Sequence, residues 1–239
     1  MAPCLGRPAG RGQAGRAGRG VGRLETGRMD SFRDDLETPY WLVRPKEPTG
    51  AGIVVIHEGN GMSVQVLRLC ERLAGEGFAV TAPDLFHRTG GPGASEDYRV
   101  QFGAVRMDQM LADLGAAADA LGRAGATRFG VTGFCMGGRF TWHAARHSDV
   151  FSAAVGFYGA GIGADLGPLQ CPTLLCFGGT DPYIPSAEID RVVAAHPDTV
   201  VYPEAGHGFM RDGSEAYAPD AAADAWSRMV EHFERHLCS

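Results

Sequence analysis

Three side chains have the chemistry of a nucleophile, an acid and a base, and they occur in that order: Cys135, Asp181 and His207. Cys135 lies in Gly133-Phe134-Cys135-Met136-Gly137-Gly138, after the apolar run Phe129-Gly130-Val131-Thr132 and before a helix-like run over 139–146. Glycines on both sides let a strand and a helix approach closely and let the residue between them take a strained turn. Such a turn pushes the side chain of residue 135 out above a sheet. A thiol placed there is the nucleophile of an acyl transfer if a base takes its proton. Taken alone, the same pattern fits a buried cysteine in a glycine-rich turn.

The downstream residues argue for the first reading. Asp181 lies in Gly178-Gly179-Thr180-Asp181-Pro182, after the apolar run Thr173-Leu174-Leu175-Cys176-Phe177. His207 lies in Glu204-Ala205-Gly206-His207-Gly208-Phe209, after Val200-Val201-Tyr202. Each follows a strand, at the carboxyl edge where the sites of open α/β sheets assemble. His207 is expected to take the thiol proton, with Asp181 orienting the imidazole and stabilising the imidazolium. The positive end of the helix after Cys135 favours thiolate. The N–H of Met136, next to the nucleophile, is an expected oxyanion donor, and the second is expected from the loop after residues 53–56, at Gly59.

The elements that must hold these residues alternate from Met29 onward. Strands are expected at 40–43, 52–56, 78–82, 129–132, 153–157, 173–177 and 200–202. Helices are expected at 64–74, 106–121, 139–146, 189–195 and 221–237, the second with Met107, Met110, Leu111 and Leu114 on one face. The segment 87–102 is glycine-rich and polar and is expected over the pocket mouth. There is no internal repeat and no second domain, so residues 29–239 read as one catalytic domain.

Residues 1–28 differ from the rest. They carry six Arg and one Glu with no hydrophobic periodicity, which leaves 16 basic and 27 acidic residues for the remainder. The segment is expected to be a disordered Gly/Arg-rich extension, or a stretch upstream of a true start at Met29. An Arg-Gly tail touching RNA is the rival reading. Lys46 is the single lysine among 22 basic residues, a bias that would make non-coding sequence read as Gly-Arg-Ala. The acidic body argues against nucleic acid or an anionic membrane as partner. No apolar run approaches a membrane span. The six cysteines have no metal-ligand spacing, so a zinc site is the weaker reading and a cytoplasmic, disulfide-free protein is expected.

The chain resembles the dienelactone hydrolase (carboxymethylenebutenolidase) family over residues 30–239. The resemblance rests on the cysteine motif around Cys135, Gly178-Gly179-Thr180-Asp181, Ala205-Gly206-His207-Gly208-Phe209, His57-Glu58-Gly59-Asn60-Gly61 and Pro83-Asp84-Leu85-Phe86-His87-Arg88, with Arg211 four residues beyond His207. It implies an α/β-hydrolase fold, a mostly parallel central sheet flanked by helices on both faces. It also implies that Arg88 and Arg211 hold a substrate carboxylate, that Glu58 interacts with the resting thiol, and that Tyr158 lies near the site; a core aromatic is the other reading of Tyr158. The implied reaction is hydrolysis of 4-carboxymethylenebut-2-en-4-olide to maleylacetate, a step of aromatic catabolism, with no metal or organic cofactor. The expected partner is a small lactone or ester, the chain being a monomer or weak homodimer. Two alternatives stand beside this: a carboxylesterase or lactonase on another small ester, and a non-hydrolytic redox-sensing thiol protein.

Overall fold

The computed structural model of the chain describes residues 25–26, 38–91 and 97–238. The strands are β1 (Glu25–Thr26), β2 (Tyr40–Val43), β3 (Ala51–Ile56), β4 (Ala79–Pro83), β5 (Arg128–Phe134), β6 (Ala153–Phe157), β7 (Thr173–Gly178) and β8 (Val200–Tyr202). The helices are α1 (Val64–Gly75), α2 (Tyr98–Ala104), α3 (Met107–Arg123), α4 (Met136–His147), α5 (Ser186–Ala195) and α6 (Pro219–Leu237). The strands form one sheet in the order β1-β2-β4-β3-β5-β6-β7-β8. The pairs β1–β2 and β2–β4 are antiparallel, and all the others are parallel.

A parallel sheet must be covered on both faces, so its strands are apolar on both sides. In β3, Ile53 and Val55 join one apolar cluster while Val54 and Ile56 join the other. Helices α1 and α6 cover the first face with Leu73, Trp226, Met229 and Phe233. Helices α3 and α4 cover the second with Leu114, Leu121, Phe140 and Ala144. The α/β-hydrolase architecture expected from the sequence is the one observed.

Register brings the functional loops together. Ile56 is level with Gly133, and Phe134 is level with Phe157, so β3, β5 and β6 end side by side. The loop carrying Glu58, the turn carrying Cys135 and the chain at Tyr158 therefore emerge as neighbours.

The expected strands and helices all occur, with ends shifted by a few residues. Helix α2 is an addition to the sequence-based reading: it lies in the glycine-rich segment and is capped by Asp97, whose side chain accepts from the Arg99 N–H at 2.9 Å. Residues 1–28, expected to have no structure, lie outside the described residues except for Glu25–Thr26. That pair forms a two-residue bridge to Leu42 and Trp41 on the open edge of β2. Among the described residues, no helix is long and apolar enough to cross a membrane.

Candidate active site

Cys135 stands between β5 and α4 with φ 57° and ψ −115°, a conformation L residues rarely adopt. The strain is held by close packing of the first turn of α4 on the sheet. A Cβ on Gly137 would meet the carbonyl oxygens of Ile56 and His57, and one on Gly138 would meet that of Phe157. With glycine at both positions, the helix start sits directly on the ends of β3 and β6. The Cys135 N–H donates to the Phe157 carbonyl at 3.1 Å. The nucleophile candidate is thus pinned from both neighbouring strands.

The loop after β3 is fixed by a residue the sequence reading did not single out. His57 is fully buried. Its Nε2 accepts from the Leu85 N–H at 3.1 Å, so the ring proton is on Nδ1, which donates to the Glu58 carbonyl at 2.7 Å. Burial pushes the His57 pKa down, which keeps it neutral. Its signal was the buried position directly after an all-apolar strand.

Cys135, Met136, Gly59, Glu58, His207 and Arg211 line one cleft of about 700 Å³. Behind the ring of His207, Asp181 accepts from Nδ1 at 2.7 Å with its side chain fully buried. The other Asp181 oxygen accepts from the Tyr183 N–H at 2.8 Å, which fixes the carboxylate. Burial alone would depress the His207 pKa. Hydrogen bonds to Asp181 and Cys135, with the charges of both, outweigh it and lift the group to about 9. The imidazole is also clamped between rings, with Tyr158 and Tyr183 each at 5.0 Å.

The remaining expected residues fall differently. Glu58 is 6% exposed and is gripped by Arg211, whose Nε and Nη2 donate to its two oxygens at 3.1 and 2.8 Å. These two, expected to contact the thiol and the substrate, contact each other. Tyr158 is buried, at φ 38°, packed on His207 and Phe209 next to the site, and is not part of the cleft wall.

Arg88 needs the larger correction. Its Nη1 donates to Asp113 Oδ2 at 2.5 Å, and Arg88 does not line the cleft. Asp113 lies on α3, is 1% exposed, and also accepts from Thr38 at 2.6 Å. A carboxylate buried that deeply must be paired, and Arg88 together with His87 does the pairing. Seven cleft residues were not named as site candidates: Asn60, Arg99, Phe102, Arg139, Ala160, Gly161 and Tyr183; of these, Arg99 and Phe102 belong to the segment 87–102 expected over the pocket mouth.

The five described cysteines are all free. Among the described residues, one group has metal-ligand proximity: His143, His147 and Asp165, with ligand atoms within 4.8 Å of one another. None of the three lines the cleft, and Asp165 is already ion-paired with Arg146.

Comparison with known proteins identifies the chain's relatives. The model of the dienelactone hydrolase family matches residues 39–237. A provisionally named carboxymethylenebutenolidase of Salmonella typhimurium is 35% identical over 233 residues, covering 87% of this chain and 86% of that one. A similarly named protein of Methylorubrum extorquens is 35% identical, covering 89% of this chain and 82% of that one. The crystal structure of a provisionally named dienelactone hydrolase from Klebsiella pneumoniae superposes with a TM-score of 0.74 at 32% identity, over 83% of this chain and 93% of that one. The chain belongs to the dienelactone hydrolase family and is by that membership a hydrolase of esters or lactones.

Proposed function

We propose that the chain is a cysteine hydrolase acting on a small ester or lactone that carries a carboxylate, with the enol lactone 4-carboxymethylenebut-2-en-4-olide as the substrate the resemblance points to. The observation that carries this reading is the convergence of a strained thiol, an acid-paired imidazole and a roomy cleft at one strand edge. In this reading the Cys135 thiolate attacks the substrate carbonyl carbon. The developing oxyanion is met by the N–H of Met136, an unpaired donor of the first turn of α4, and by that of Gly59. The carbonyl carbon–oxygen bond then breaks, the enolate leaves, and the His207 imidazolium protonates it. Water attacks the resulting thioester while His207 takes its proton, and the thiolate departs. Asp181 holds the ring in one orientation through both steps.

The redox-sensor alternative has no use for an imidazole this closely oriented by a buried acid. A panel of lactones and esters, with and without a free carboxylate, tests the proposal against wild type and Cys135→Ala. Cysteine-dependent turnover supports it; turnover that survives the substitution removes Cys135 from the mechanism.

A further inference from the structure

The cleft contains three arginines, Arg99, Arg139 and Arg211, and one carboxylate, Glu58. Arg211 is spent on Glu58 through two hydrogen bonds. Arg88 is held on Asp113, outside the cleft. The two arginines that the resemblance assigns to a substrate carboxylate are therefore both already paired.

Arg139 is placed otherwise. It stands four residues after Cys135 on α4, and its N–H donates to the Cys135 carbonyl at 3.3 Å. Arg139 lies in the first turn of α4 and lines the same cleft as Cys135. Its guanidinium lies 5.8 Å above the Phe102 ring. A Cβ on Gly161 would stand 3.3 Å from its Cζ, so glycine leaves the space that the guanidinium fills. Among the described residues it makes no ion pair and no side-chain hydrogen bond. With Glu58 and Arg211 cancelling, Arg139 adds an uncompensated positive charge to a cleft in a chain of net charge −6.

Resting on the hydrolase reading above, we propose that Arg139 is the residue that selects for the substrate's carboxylate, in place of Arg88. The substrate class is an ester or lactone whose carboxylate stands away from the scissile carbonyl, reaching along α4. The planar fork of Arg139 would take that group in two parallel hydrogen bonds, with Phe102 beneath the guanidinium.

The test uses two matched chromogenic probes, mono-4-nitrophenyl adipate and its methyl ester, and reads the ratio of their kcat/KM values. Wild type should prefer the acid, and rising salt should erode that preference. Arg139→Ala should lower the ratio by about ten- to a hundredfold, and Arg139→Lys should restore part of it. Arg211→Ala should slow both probes together. A ratio unchanged in Arg139→Ala, or one that collapses only in Arg211→Ala, overturns the proposal while leaving the hydrolase reading standing. Wild type that hydrolyses neither probe overturns both. Thermal melts of each variant separate loss of fold from loss of selectivity.

Discussion

Two arginine–carboxylate pairs look alike in the sequence and do different work in the molecule. Arg88 follows β4 and Arg211 follows the His207 loop, and the resemblance assigns both to substrate. Arg211 sits in the cleft wall, half-exposed, forked onto Glu58, where the charge of Cys135 also acts on it. Arg88 reaches to α3 and neutralises Asp113, which Thr38 and His87 also hold. The first pair sits in the cleft wall with Cys135, and the second ties the chain after β4 to a covering helix. A local motif specifies where an arginine leaves a strand. The nearest buried carboxylate decides where its guanidinium goes.

The contrast requires that the cleft be where reaction occurs, and the largest expected effect tests that. Cys135→Ala should cost about 10⁴-fold or more in kcat/KM with the circular dichroism spectrum preserved. Activity within tenfold of wild type (~1.4 kcal/mol of barrier) would detach Cys135 from the reaction. Next in size is Arg211→Ala. It leaves the Glu58 carboxylate uncompensated near the thiolate, which opposes the charged nucleophile, so kcat/KM should fall ~10–100-fold on any ester. Adding Glu58→Gln should recover part of the loss, because the repelling charge goes with it. Strictly additive losses would mean that the pair does not act as a unit.

Arg88→Ala should do the reverse. It removes a charge-assisted hydrogen bond from a buried carboxylate, a loss of ~2–3 kcal/mol of stability, read as a drop in Tm of several degrees. The kcat/KM of the folded enzyme should stay within about threefold of wild type, since Arg88 does not line the cleft. A selective rise in KM for carboxylate-bearing substrates, with Tm unchanged, would return Arg88 to the substrate and erase the contrast.

What the sequence discloses follows from the range of the interactions. The strands were legible because both faces of a parallel sheet are buried, so runs such as residues 53–56 are apolar throughout. The Cys135 turn was legible because close approach of helix and strand demands glycine at fixed offsets. Arg139 was within reach: it lies in the first turn of the helix-like run that follows the Cys135 motif. Helix α2 was obscured by the glycines before it, and the mark available was Asp97 as a capping residue. The destination of Arg88 depended on a partner 25 residues away. Its trace was Asp113, an acid set in the buried stripe of α3 beside Met110 and Leu114. A charge in that position needs a cation from elsewhere in the chain, and the basic residues at the end of β4 were the neighbours to consider.

The smallest expected effect separates the two regions by pH. Burial would raise the Asp113 carboxyl, but hydrogen bonds from His87, Arg88 and Thr38 outweigh it and hold the group below its ordinary value. A depressed carboxyl contributes stability above its unfolded pKa of ~3.9 and loses it as pH falls through the folded value. His207 is opposite in sign. Its pKa is raised from 6.5 to about 9, so its contribution is complete below the unfolded value and disappears as pH rises through 9. The Arg88–Asp113 region should therefore weaken in acid and the cleft in alkali. Tm measured from pH 3 to pH 10 for wild type, Arg88→Ala and His207→Gln tests this directly. The gap between wild type and Arg88→Ala should close toward the acid end, and the gap to His207→Gln should close between pH 7 and 10. Cys135→Ala should shrink the alkaline swing without touching the acid one, because part of what raises His207 comes from the sulfur. If the His207→Gln gap stays constant across the alkaline range, the imidazole is not held as imidazolium in the folded protein. His207 would then enter the reaction as a neutral base, and the thiolate–imidazolium start of the mechanism would have to be abandoned.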